Sequence, residues 1–133
     1  MNELKYIPGD LVRFATNTYT IVNFGENFLQ SKIYALISTN STKTAFVADR
    51  DILPIPLTPE ILEKNGWRIQ NRWYYYLDVA EGFISYIGID FKHKSNKGHL
   101  YVEVDGNNMV EIQYCHELQH LLYGLGIKHE MEM

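Results

Sequence analysis

The chain has a single cysteine, no basic cluster and no long apolar run. Cys115 is that cysteine, so an intramolecular disulfide bond is excluded. No apolar stretch among the 133 residues approaches the roughly 20 that a membrane-spanning helix needs, and we expect no membrane insertion. The first residues, MNELKYIPGD, have neither the charged nor the apolar region of a secretion signal. These absences predict a cytoplasmic protein in a reducing environment.

The charge balance is acidic, and the basic residues are dispersed. Lys and Arg number 12 against 16 Asp and Glu, which gives a net charge of −4. Nucleic-acid affinity depends on clustered basic side chains, so general DNA or RNA binding is disfavoured. Hydrophobic residues make up 46% of the chain, with 9 glycines and 4 prolines, which is typical of a folded protein. We expect one compact unit.

Short β-type segments dominate the first part of the chain. A turn at IPGD is followed by LVRFA, TYTIVNF, KIYALIS and TAFVA, which are rich in β-branched and aromatic residues. Because an open sheet of such short strands leaves costly edges, we predict an SH3-like β-barrel over residues 1–57. Pro54 and Pro56 lack amide donors, so their segment is predicted to be an edge strand or an extended crossing between the two halves.

The segment TPEILEKNG has the signals of a short helix. Thr58 is a suitable N-cap, Pro59 suits the first helical position, and Gly66 can end the helix in a left-handed conformation. The segments WRI, RWYYYLD, GFISYIGIDF and HLYVEVDG then read as strands.

The last part of the chain predicts a closing amphipathic helix. From Cys115, four leucines fall on one side of the helix, and the other side carries His116, Glu117, Gln119, His120 and Tyr123. The leucines are Leu118, Leu121, Leu122 and Leu125. The prediction is an α+β protein, mostly β: the barrel of residues 1–57, then residues 58–133 with the short helix and an antiparallel sheet capped by the C-terminal helix.

The segment YCHELQHLLYGLG contains the pattern H-E-x-x-H. On a helix, His116 and His120 could bind one zinc ion while Glu117 activates a water molecule, as in metallohydrolases. A catalytic zinc needs a third protein ligand, and the extended pattern requires Gly and His where this chain has Tyr123 and Gly126. We therefore interpret the segment as the polar side of a packing helix and keep a zinc hydrolase as an alternative.

The segment WRIQNRWYYYLD is the best candidate for a binding surface. Aromatic side chains beside arginines are typical of surfaces that stack on single-stranded nucleic acid or on a protein partner, although two arginines in an acidic protein give little attraction for nucleic acid. Alternation in a strand would instead place some of these aromatics in the core. The candidate residues are Trp67, Arg68, Arg72, Trp73, Tyr74, Tyr75 and Tyr76.

Two further features have simple interpretations. Cys115 lies on the apolar side of the predicted helix, where a free thiol acts as a small buried hydrophobe. The stretch KHKSNKGH carries Lys92, Lys94 and Lys97 and is predicted to be a solvated hairpin loop. The alternative is that these lysines contact the phosphates of a sequestered nucleotide.

The segments DILPIPLTPEILEKNGW and VEIQYCHELQHLLYGLGI resemble a family of uncharacterised small proteins encoded by phages and other mobile elements of gut bacteria. The family pattern has a P-I-P-L-T segment before the short helix, aromatic strands and a closing Y-x-H-x-L-Q helix. Tyr114, His116, Leu118 and Gln119 match that helix. The resemblance implies a packing helix in which Glu117 is not a fixed part of the pattern, and it implies no activity.

The sequence favours binding over catalysis. We predict a non-enzymatic small intracellular adaptor or inhibitor of phage or mobile-element origin, which contacts a host or phage protein through the aromatic segment. A zinc metallohydrolase and a small-ligand sequestering protein are the alternatives, and self-association is left open.

Overall fold

The computed structural model contains two antiparallel sheets and a C-terminal helix, so the protein is mostly β. The structure describes residues 6–15, 17–26, 32–38, 44–48, 51–79 and 84–132. The chain divides into two compact units. Unit 1 comprises Met1–Ile55 with Tyr114–Met131, and unit 2 comprises Pro56–Gln113 with Glu132–Met133.

Unit 1 contains a five-stranded sheet in the order β4-β3-β2-β1-β5. Its strands are β1 Leu11–Phe14, β2 Asn17–Glu26, β3 Lys32–Ser38, β4 Thr44–Ala48 and β5 Leu53–Pro54. All four strands predicted between LVRFA and TAFVA are confirmed. The proline-containing segment forms the edge strand β5, which pairs with β1.

The predicted SH3-like barrel is not closed. Within the described parts of the chain, no ladder joins β5 to β4, which are the two edges of the sheet. The strand β5 pairs through only Leu53 and Pro54, opposite Arg13 and Val12. Because proline has no amide to donate, this short strand offers little backbone for a further ladder.

The buried core of unit 1 lies against this sheet. A cluster of buried apolar side chains comprises Tyr6, Val12, Ile21, Val47 and Ile52. Helix α2, Cys115–Gly124, belongs to the same unit. The sequence predicts that the first unit ends at residue 57 and that this helix covers the second sheet. In the structure, unit 2 starts at Pro56, and residues 114–131 belong to unit 1. The hydrogen bonds that attach α2 span more than 100 residues, so local patterns could not reveal them.

Helix α1, Pro59–Lys64, opens unit 2 as the sequence predicts. The Thr58 hydroxyl accepts a hydrogen bond from the Ile61 amide at 3.4 Å, and Pro59 occupies the first turn. The chain leaves the helix through Gly66, whose φ of +88° favours glycine. Neither described helix is long and apolar enough to cross a membrane.

The sheet of unit 2 has the order β10-β9-β8-β7-β6. Its strands are β6 Arg68–Asn71, β7 Tyr74–Asp78, β8 Tyr86–Asp90, β9 Leu100–Val104 and β10 Asn107–Ile112. Strand β10 was not predicted. Asp105 and Gly106, which connect it to β9, both have positive φ, so the Asp-Gly pair was an available hairpin signal.

Candidate functional site

Glu117 of the H-E-x-x-H pattern stabilises the start of α2. Its Oε1 accepts a hydrogen bond from the Tyr114 amide at 2.9 Å. That amide lies at the end of the helix where donors have no intrahelical partner, and a glutamate three residues into a helix commonly accepts from it. Glu117 therefore has a local structural role.

His120 is directed to a buried carboxylate. Its Nε2 lies 2.6 Å from Oδ2 of Asp10, which is fully buried, while 33% of the His120 side chain is exposed. The Ile7 amide donates to the same Asp10 oxygen at 2.9 Å. This pairing fastens the turn before β1 to the polar side of α2.

His116 is buried among aromatic rings. Its ring lies edge-on to Tyr6 at 5.0 Å and stacks on Tyr114 at 5.8 Å, and it meets the His120 ring edge-on at 5.5 Å. Among the residues that the structure describes, no group of three or more His, Cys, Asp or Glu side chains could hold a metal ion. The zinc alternative requires a third ligand beside the two histidines, and the carboxylate nearest to His120 Nε2, that of Asp10, is its hydrogen-bond partner.

Gln119 holds three segments of unit 1 together. Its side-chain oxygen accepts from the Leu11 amide at 2.8 Å, and its amide donates to the carbonyls of Gly9 at 2.8 Å and His129 at 2.9 Å. The side chain is fully buried. Gln119 is therefore the central polar contact of unit 1, and the sequence prediction placed it on the polar side of α2.

The predicted division of α2 into an apolar and a polar side is partly wrong. Leu118 and Leu122 are buried as expected, but so are His116 and Gln119. Leu121 and Leu125 are only half-buried. The periodicity of α2 gives no signal for the burial of His116 and Gln119, because it distinguishes apolar from polar positions only.

Cys115 is free and buried at the start of α2. Burial raises the pKa of its thiol to about 12, because the thiolate would lose its hydration. A nucleophilic role needs a low pKa and access to solvent, and Cys115 has neither.

The thiol of Cys115 should be almost unreactive in the folded protein. At about pH 8, we expect it to react with an aromatic disulfide reagent on the order of 1,000-fold more slowly than in the urea-unfolded chain, because so little thiolate is present. Absorbance of the released thiol measures both rates. Comparable rates in buffer and in urea would show that the thiol is accessible and ionisable.

The predicted surface segment is divided between the core and the surface. Trp67 and Tyr75 are only 5% exposed, so they are core residues and cannot present a surface. Arg68, Arg72 and Trp73 are exposed. Tyr74 and Tyr76, the remaining two residues, are half-buried on the other side of β7 from Tyr75.

The side of the second sheet that carries Tyr74 and Tyr76 is rich in tyrosine. Residues opposite each other in a ladder point to the same side of a sheet. The ladders place Tyr74 in one row with Asp90, Tyr101 and Glu111. They place Tyr76 beside Arg68, Gly88 and Glu103, and Asp78 beside Tyr86. We call this side the tyrosine face; its four tyrosines are Tyr74, Tyr76, Tyr86 and Tyr101, all half-buried.

Gly88 leaves room for Tyr74 at the centre of the tyrosine face. A methyl group at Gly88 would overlap the Tyr74 hydroxyl and the ring carbon that bears it. That hydroxyl donates a hydrogen bond to Oε2 of Glu103 at 2.8 Å. Burial and this hydrogen bond raise the pKa of Tyr74 above its ordinary value, so the phenol stays a neutral donor.

The tyrosine face is acidic. Its paired strand residues include four carboxylates, Asp78, Asp90, Glu103 and Glu111, and one guanidinium, that of Arg68. Arg68 and Asp78 lie 3.7 Å apart and are both largely exposed, so this pair contributes little to stability. The face therefore favours a positively charged partner.

Asp90 organises the loop that carries the lysines. Its Oδ1 accepts from the Lys92 amide at 2.8 Å, and its Oδ2 lies 2.8 Å from Nδ1 of His93. Partial burial acts to raise the pKa of Asp90, but the contacts with His93 and Lys92 outweigh it and lower the pKa. Lys92, Lys94 and Lys97 are exposed in this loop, as expected of a solvated hairpin connection.

Comparison of the chain with protein-family profiles, with curated proteins and with solved structures found no match.

Proposed function

We propose that the protein is a non-enzymatic binding protein whose tyrosine face docks a lysine- or arginine-rich segment of a partner protein. The observation that carries this proposal is the concentration of four tyrosines and four carboxylates on one side of the second sheet. The partner chemistry follows from that charge.

Tyrosine is well suited to such a surface. Its ring is large and rigid, so it gains contact area at a small cost in conformational entropy, and its hydroxyl can bond to a polar partner. The faces of the rings also attract the cationic groups of lysine and arginine. The sheet holds these rings on a fixed backbone. Each tyrosine lies on β7, β8 or β9, and each of these strands is paired with a strand on both sides.

The carboxylates supply the electrostatic component. Glu111 is exposed on the edge strand β10, while Asp90 and Glu103 are half-buried on the inner strands. Charges of one sign on a binding surface steer an oppositely charged partner and reject partners of like charge. The affinity is therefore expected to fall as ionic strength rises.

The exposed part of the predicted surface lies partly on this face, at Arg68, and partly in the turn that follows β6. Arg68 lies on the edge strand β6, and the turn that follows carries Arg72 and Trp73. The Arg72 guanidinium lies 5.5 Å from the centre of the Trp73 ring. Tryptophan and arginine are both enriched at interface hot spots. This supports the role of Trp73 as an anchor for one end of the docked segment.

The proposal keeps the origin that the sequence resemblance implies and the kind of partner that the sequence analysis predicts. We propose a protein of phage or mobile-element origin, acting in the cytoplasm as an adaptor or inhibitor, with a host or phage protein as its partner. We also propose that unit 1 is of the SH3-like type. Four consecutive strands followed by a fifth that returns to the first, the order found in its sheet, support this assignment.

The test is binding of a fluorescently labelled lysine- and arginine-rich peptide, measured by anisotropy, with a glutamate-rich peptide of equal length for comparison. We expect that only the basic peptide binds. Glu111→Lys should weaken its affinity at least ~10-fold, because the substitution reverses an exposed charge on the tyrosine face. Tyr101→Ala should weaken it by a similar factor. Glu130→Lys makes the same charge change at an exposed position in unit 1 and should leave the affinity unchanged.

Two results would count against the proposal. One is no binding of the basic peptide up to about 1 mM at low salt, an affinity too weak for specific recognition. The other is an equal loss in Glu111→Lys and Glu130→Lys, which would show that the peptide responds to net charge and not to the tyrosine face.

A further inference from the structure

Strand β4 is an unprotected sheet edge. It comprises Thr44–Ala48, with the sequence TAFVA, and contains neither charge nor proline. Within the described residues it pairs only with β3, so no described strand lies along its other side. Exposed edges of this kind can pair with a further strand, and natural proteins usually protect them with charges, prolines or short length.

The other three sheet edges carry such protection. Strand β5 is two residues long and contains Pro54. Strand β6 carries the exposed Arg68, and β10 carries the exposed Glu111 and an irregularity between Asn108 and Val110. Of the four edges, β4 alone has none of these features.

Phe46 makes the edge apolar as well as open. It is 76% exposed at the middle of β4, while its neighbour Val47 is buried in the core of unit 1. An exposed phenylalanine on an edge strand loses unfavourable contact with water when another strand covers it. The strand is thus suited to an apolar partner strand and not to a charged one.

We propose that two copies of the chain pair antiparallel through β4, centred on Phe46, to form a dimer with one continuous sheet. In this register Thr44 lies opposite Ala48, Ala45 lies opposite Val47, and the two Phe46 residues face each other. The strand is therefore complementary to itself, as a two-fold interface requires, and no like charges meet. Aromatic residues directly opposite each other are among the favourable cross-strand pairs.

The neutral composition of β4 agrees with a second copy as the partner. TAFVA contains no charged residue, so antiparallel pairing of the strand with itself brings no like charges together. The inference concerns unit 1 and does not depend on the proposed function.

The experiment is sedimentation equilibrium of the full chain from about 5 to 200 μM, a range in which a specific dimer populates measurably. We expect a mass approaching twice the chain's 15.5 kDa. Phe46→Lys places two positive charges opposite each other and should raise the dimer Kd at least ~10-fold. Leu53→Lys is the matched control, because Leu53 is 53% exposed on the opposite edge strand β5, and it should leave the dimer intact.

A second variant tests the register independently of stability. In Phe46→Cys, the two introduced thiols would face each other at the two-fold axis, within the distance that a disulfide bond spans. Oxidised glutathione should then link the chains, whereas Leu53→Cys should not link. Cys115 is buried and does not compete. A monomer at every concentration would overturn the proposal, and so would a dimer that Leu53→Lys disrupts and Phe46→Lys does not.

Discussion

Replacing Gln119 with leucine is expected to lower the free energy of unfolding by about 3 to 5 kcal/mol, the largest effect of any single substitution considered for unit 1. The two side chains are similar in size, so the change removes hydrogen bonds without opening a large cavity. It leaves the Leu11 amide and the carbonyls of Gly9 and His129 without the partner that Gln119 gives them. Each unpaired buried polar group costs about 1 to 3 kcal/mol.

Urea unfolding followed by far-UV circular dichroism measures this loss. Hydrogen exchange of the Leu11 amide adds a local readout, since that amide donates to Gln119 in the native protein. The control is Gln70→Leu, the same substitution at an exposed position on β6, which should change stability by less than ~0.5 kcal/mol. An unfolding midpoint of Gln119→Leu equal to that of the wild type would contradict the structural role of this side chain.

Gly88→Ala is the second substitution with a large expected effect. The added methyl group overlaps the Tyr74 hydroxyl and its ring, so Tyr74 must leave its position and give up the bond to Glu103. Forcing extra volume into a packed site costs about 1 to 3 kcal/mol. Urea unfolding followed by tryptophan fluorescence suits this variant, because both tryptophans, Trp67 and Trp73, belong to unit 2.

A double-mutant cycle identifies the cause of the expected loss. In a Tyr74→Ala background the methyl group has free space, so Gly88→Ala should cost less than ~0.5 kcal/mol there. Gly124→Ala is a control for the change from glycine to alanine. Gly124 lies in α2 with open space where the added methyl group would sit, and the substitution should stabilise by roughly 0.5 to 1 kcal/mol. The clash is refuted if Gly88→Ala costs the same with and without Tyr74.

Local features were predictable where the signals lay within a few residues of one another. Helix α1 is an example, because Thr58, Pro59 and Gly66 each act on the adjacent backbone. The strands of unit 1 followed from runs of β-branched and aromatic residues. In both cases the determining contacts are close in sequence.

Features that depend on long-range contacts were not predictable. His120 meets Asp10 across 110 residues, and Gln119 reaches Leu11 across 108. These contacts decide that His116 and Gln119 are buried and that α2 belongs to unit 1. A helical wheel assigns polar residues to the solvent by default, so it cannot identify a buried polar network.

The segment from Trp67 to Tyr76 is an intermediate case. Alternation within a strand predicts that Tyr75 points away from Tyr74 and Tyr76, but it does not say which side is covered. The structure buries Tyr75 and leaves the other two half-exposed. The tyrosine face additionally needs Tyr86 and Tyr101, which only the ladder registers bring beside them.

The discontinuous composition of unit 1 determines the order in which the protein can fold as it is synthesised. Unit 2 interrupts unit 1 between Ile55 and Tyr114, and the Cys115 amide donates to the Ile55 carbonyl at 2.8 Å, so the interruption starts and ends at neighbouring positions. The ribosome delivers residues 56–113 before α2. Most of unit 2 is therefore free to form while the first sheet still lacks the helix that supplies Gln119, and unit 1 is completed only after α2 has been synthesised.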